Sequence, residues 1–148
     1  MTQHYYLGAK SELPEGTYGE NISRIRNKVI YYDTELDAVS INVERLRRNH
    51  APKHLRLPYS AIIDINITGS LDASEHLSEA DKKCVECLYA YIQDVLKKSF
   101  SIELFSAWTN EENEAILHER TLYEDEMTPE SLLLKDREYV KILRSRSW

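Results

Sequence analysis

A chain of 148 residues with 25 acidic and 19 basic side chains carries a formal net charge of −6, a balance that argues against general attraction to nucleic acid or anionic lipid. Leu, Ile, Val and Phe make up a quarter of it, above the roughly 20 % below which chains tend to stay disordered, and the length suits a single domain over residues 1–148 without disulfide or metal staples. No stretch nears the 18 or so apolar residues of a membrane span, and the start Met1–Leu7 lacks the basic and apolar regions of a secretory signal, so a cytoplasmic protein is expected.

His4–Leu7 reads as an opening strand, closed by a polar loop holding Pro14, Gly16 and Gly19, since Gly tolerates positive φ and Pro fixes its own. Asn27–Asp33 is rich in β-formers and suggests a second strand. Ala38–Val43 alternates and predicts its hairpin partner across Thr34–Asp37. Leu36, Val39, Val43 and Leu46 also fit a helical stripe that Thr34 and Asp37 would cap, but Ile41 lies off that stripe. Tyr59–Thr68 is the clearest strand, with Ala61, Ile63, Ile65 and Ile67 on one side and Ile62, Asp64, Asn66 and Thr68 on the other.

Ser74–Lys98 predicts a long amphipathic helix. Ser78 with Asp81 gives a start signal, acids gather near the first turn, and Lys97 and Lys98 sit at the end. Leu77, Ala80, Cys84, Cys87, Leu88, Tyr91, Val95 and Leu96 follow the three-four spacing of a stripe that covers a sheet. Phe100–Trp108 alternates again, and Ala115–Tyr123 is expected as its hairpin partner. Thr128-Pro129 opens a helical turn or two through Leu134. Arg137–Arg144 makes a last strand, whose stretch Tyr139–Arg144 is a candidate exposed edge for pairing with a second copy. The expected fold is α+β: one mainly antiparallel sheet of about six or seven strands, with the helix of about 74–98 on one face.

Cys84 and Cys87 lie three apart on the apolar stripe, away from the helix N-terminus that a reactive Cys-x-x-Cys needs, and they read as structural. His50 and His54 have the spacing of a zincin pair, but Pro52 between them denies the helix, so no metal is expected there. The sequence carries no Asp-x-Asp-x-Asp-Gly calcium loop, Walker loop or dinucleotide fingerprint, and no cofactor is expected.

Charge is uneven along the chain. Residues 44–56 hold Arg45, Arg47, Arg48, Lys53 and Arg56 against Glu44 alone; Arg45, Arg47, Arg48 and Lys53 are candidate anion contacts, because cationic side chains match phosphate oxygens. Residues 103–130 hold nine acids against Arg120 alone. If 100–123 is a hairpin, Trp108, Glu111 and Glu112 flank one end of it, and Tyr123, Glu124 and Glu126 the other.

An interaction module follows as the first reading, an adaptor or an immunity-type inhibitor, whose acidic, aromatic-flanked surface meets a basic protein partner. The alternative is a small enzyme or ligand-binding protein, with Glu103, His118 and Arg120 converging across the 100–123 hairpin; a binding role is favoured over an enzyme. A second alternative is phosphate or nucleic-acid contact through residues 45–56. Ten of the 14 aromatic residues are Tyr, rings that pack on one face while the hydroxyl reaches water, as a contact surface requires.

Overall fold

The computed structural model describes residues 3–65 and 78–144. In chain order the elements are β1 (Gln3–Ala9), β2 (Gly16–Tyr18), β3 (Arg24–Arg26), β4 (Val29–Tyr31), α1 (Glu35–Ala38), β5 (Ile41–Leu46), β6 (Tyr59–Ile65), α2 (Glu79–Ser99), β7 (Ser101–Trp108), β8 (His118–Tyr123) and β9 (Glu138–Leu143). Seven of the strands form one sheet in the order β2-β5-β6-β1-β7-β9-β8, antiparallel except for β8 beside β9, and β3 with β4 makes a separate two-stranded ribbon. With α2 packed on one face, this is the expected α+β architecture.

The helix begins where the capping chemistry places it. Ser78 Oγ accepts a hydrogen bond from the Asp81 amide at 3.1 Å, filling one of the four donors a helix start leaves unpaired. Val85, Leu88, Ile92, Val95 and Leu96 then bury against Leu7, Ile63, Ile102, Leu104 and Ile142 of the sheet. Full burial contributes about 1.5–3 kcal/mol for each such side chain, which makes this seam the main source of cohesion. Alternation in β6 is as expected, with Ala61 and Ile63 fully buried and Asp64 exposed. The expected helix residues 74–77 and strand residues 66–68 lie outside the described residues.

The strand pairings differ from the sequence expectation in three places, and each has a local cause. Residues 27–33 do not pair with 38–43. Instead Asn27 and Lys28 both take positive φ, 52° and 64°, the backbone of a two-residue hairpin turn, so β4 folds back on β3. The Thr34–Asp37 segment is α1, closed by a reciprocal capping box between Thr34 and Asp37. The helical signal and the strand signal were therefore both real and apply to successive residues, β5 starting at Ile41.

Nor do 100–108 and 115–123 form a hairpin: β9 lies between β7 and β8, antiparallel to the first and parallel to the second. Burial sorts them. Val140 and Ile142 of β9 are fully buried, whereas β8 is polar and largely exposed, as an edge strand should be. Tyr139–Arg144 is accordingly no free edge; among the described residues β8 is the outermost strand. Phe100 is not a strand residue but the left-handed cap of α2, with φ 63° and 60 % exposure.

Candidate functional site

The face of the sheet opposite α2 is covered by chain rather than by a helix. Residues 47–58, the connection from β5 to β6, fold across it. Pro52 is buried, the His54 ring lies 5.0 Å from the Phe105 ring, and Leu55 packs on Tyr6, Phe105 and Ala107. What ties the connection down is Glu103. The residue is 3 % exposed, and its carboxylate accepts from the Arg56 amide at 2.9 and 3.1 Å and from the Leu57 amide at 2.8 Å, and also from the Tyr139 hydroxyl.

Among the described residues Glu103 has no salt-bridge partner; a buried carboxylate is tolerated in this way when donors surround it, because each charge-assisted hydrogen bond returns about 1.5–3 kcal/mol. Gly8 is the neighbour that permits this placement. A Cβ there would come within 2.8 Å of Glu103 Oε1. Burial, and then the hydrogen bond to Glu103, raise the Tyr139 hydroxyl well above the ordinary phenol range, so it serves as a neutral donor at physiological pH.

Between this connection and the sheet lies a cleft of about 500 Å³, with Glu103, Tyr139 and Ile116 among its lining. Lys10, from the end of β1, Lys53 and Arg56, from the connection, and Lys141, from β9, bring four cationic side chains to it. None of the four has an ion-pair partner within 4.0 Å among the described residues. Among the described lining residues the acids against them are Glu103, already satisfied, and Glu119. Unpaired cations of one sign around a concave site focus the field and draw anions in.

Comparison with protein-family models, with curated proteins and with solved structures finds no match. The functional reading therefore rests on this geometry.

The residues expected to form a catalytic group do not come together. Paired residues share a sheet face, so Glu103, opposite Lys141, faces the cleft, while Arg120, opposite Val140, faces the other way. Arg120 is committed to Glu138, Nε to Oε2 at 2.9 Å, and to the Ser131 carbonyl. His118 sits exposed opposite Glu138.

Of the expected anion contacts, only Lys53 reaches the cleft. Arg45 is engaged by the Leu13 carbonyl at 2.7 Å and by Glu12 and Glu15, both at 3.9 Å. Arg47 and Arg48 are exposed beyond the cleft.

The acidic surface divides into two ends. Tyr123 and the turn Glu124–Glu126 lie beside the Leu143 end of β9, and Trp108 lies at the far end of β7. At that far end Glu111 and Glu112 are half-buried. The neighbouring acidic segment receives the basic connection itself, through Lys53 N–H to Asn113 Oδ1 at 2.9 Å and His54 Nε2 with the Glu114 carbonyl at 2.6 Å.

Sequence reasoning did not single out Lys10 or Lys141 as site residues, and it placed Tyr139 only in a strand and at the start of a candidate edge. They come from separate segments, and the one available signal was a lysine at position 141 alternating with buried Val140 and Ile142.

A second cleft, of about 520 Å³, runs between α2 and residues 11–19 beside Tyr18, Cys87 and Tyr91. It is less suited to chemistry. The Tyr18 and Tyr91 rings meet edge to face at 5.0 Å, and burial raises the Cys87 thiol above its ordinary value, which keeps it protonated. Among the described residues no group of three or more His, Cys, Asp or Glu could hold a metal ion, and no helix is long and apolar enough to cross a membrane.

Proposed function

We propose that this chain is a cytoplasmic binding protein for a small phosphate-bearing ligand, held in the cleft between residues 53–57 and the sheet. The supporting observation is the convergence of Lys10, Lys53, Arg56 and Lys141 on one cleft without ion-pair partners among the described residues. Lysine ammonium groups are point charges that suit phosphate oxygens, and an Arg fork adds a directional pair. The volume, about 500 Å³, is in the range of sites for ligands the size of a nucleotide or sugar phosphate.

Glu103 and Tyr139 form the floor and hold the covering connection in place; they are positioning residues in this reading. The interaction-module reading, with a basic protein partner at Trp108, Glu111, Glu112, Tyr123, Glu124 and Glu126, draws less from the geometry, because those residues occupy opposite ends of the sheet.

Calorimetric titration with pyrophosphate at low salt tests the proposal. The double variant Lys53→Ala/Lys141→Ala should bind at least about tenfold more weakly, as expected for losing charge-assisted contacts. Equal affinity in the variant, or no binding to the unaltered chain at millimolar ligand, would refute it.

A further inference from the structure

The β3–β4 ribbon stands apart from the main sheet. All six of its strand residues are exposed, and Ile25, Val29 and Ile30 are 66 %, 50 % and 46 % exposed. Register sets Ile25 against Ile30 on one face, with Arg24 against Tyr31 and Arg26 against Val29 on the other. A two-stranded hairpin outside a larger sheet is marginal in water, and a cluster of exposed apolar side chains marks a contact surface. Residues 21–32 also carry Arg24, Arg26 and Lys28 with no acid among them.

The outer edge of β8 has the opposite character. Among the described residues it ends the seven-stranded sheet and is paired on one side only, which leaves a row of backbone donors and acceptors for another strand. Leu117, just before it, is 52 % exposed. Glu119 on the strand and Asp125 and Glu126 just after it are exposed acids, and its one strong cation, Arg120, is taken up by Glu138 and Ser131.

We infer that the ribbon of one copy adds to the β8 edge of a second copy, extending its sheet by strand addition. Two features match: an open backbone edge meets an open backbone edge, and Arg24, Arg26 and Lys28, without an ion-pair partner within 4.0 Å among the described residues, meet Asp125 and Glu126 at the end of the strand. Ribbon against ribbon would oppose cation to cation, and edge against edge would oppose acid to acid. The contact is therefore heterologous, so successive copies join head to tail in a ring or an open chain. Glu119 of this edge also lines the ligand cleft, whereas Asp125 and Glu126 do not, so the charge reversals that test the assembly leave the cleft lining intact.

Sedimentation equilibrium tests the inference, from about 10 µM to about 1 mM, the range in which a modest interface becomes populated. The weight-average mass should rise above 17.3 kDa with concentration and fall back as salt is added. Arg24→Glu/Arg26→Glu and Asp125→Lys/Glu126→Lys should each give a monomer. Their equimolar mixture should associate again, because each then offers the surface the other lacks. All four side chains are exposed, and a melting temperature near that of the unaltered chain confirms that each variant is folded. A single-chain mass for the unaltered protein at every concentration, or charge-reversed variants that associate as well as it does, would overturn the inference.

Discussion

Beneath α2 the sheet presents Leu7, Ile102, Leu104, Val140 and Ile142, each with no exposure, whereas on the reverse face the same three strands present Tyr6, Gly8, Glu103, Phe105 and Tyr139. The first face is closed mainly by hydrophobic area, with the Tyr5 hydroxyl donating to the Leu132 carbonyl at 2.8 Å as a buried polar tie. The second is closed by a connection whose amides are held by one buried carboxylate, and it leaves room for a cleft. Strand alternation makes this division possible, since each strand serves both faces with alternate residues. Cohesion and recognition are thereby separated, and substitutions on the two faces should have different consequences.

The largest effect is expected on the helix side. Ile92→Ala, at a site with no exposure, should cost about 2–5 kcal/mol of unfolding free energy through lost burial and the cavity left behind. Denaturant titration checks this, and ligand affinity should be unchanged where the variant is folded.

On the reverse face Glu103→Leu should cost about 2–4 kcal/mol, because the Arg56 and Leu57 amides and the Tyr139 hydroxyl lose their acceptor. Hydrogen exchange at those two amides should accelerate, and binding should weaken as the connection loosens. Gly8→Ala, whose Cβ would crowd Glu103 Oε1 at 2.8 Å, should reproduce this phenotype in milder form. Unchanged exchange in both variants would mean that the carboxylate does not hold the connection.

A pH effect of intermediate size follows from Tyr6, whose hydroxyl is pushed up to about 12, first by burial and then by Glu112. A raised phenol favours the folded state while neutral. Its contribution is full below the unfolded value of about 10 and is lost as pH rises from there through about 12. Stability should therefore decline across that alkaline window, and Tyr6→Phe should flatten the decline. The smallest stability change, within about 0.5 kcal/mol, is expected for Lys53→Ala and Lys141→Ala, both exposed, although these substitutions should affect binding.

How much of this could be read beforehand depended on whether the signal was local. Ser78, the stripe through Leu88 and Leu96, and the alternation through Ala61 and Ile63 are local, and they were legible. The turn at Asn27-Lys28 was not, because Lys seldom takes the positive φ such a turn demands of it. Strand order was hidden for a related reason. Adjacent segments 100–108 and 115–123 invite a hairpin, and only the burial of Val140 and Ile142 shows that β9 intervenes.

The basic stretch was visible as charge, yet Arg45 is consumed by Glu12, Glu15 and Leu13. Lys53 acquires meaning only beside Lys10 and Lys141, brought to it by the sheet.

The central claim, that the reverse face of the sheet holds a phosphate-bearing ligand, is tested most directly by titrating pyrophosphate into isotope-labelled protein while following backbone amide resonances. The account predicts saturable shifts concentrated at Lys10, residues 53–57 and Lys141, and absent from Lys53→Ala/Lys141→Ala. Shifts spread over exposed Arg47, Arg48 and the β3–β4 ribbon, with Arg56 and Leu57 unmoved, would contradict it.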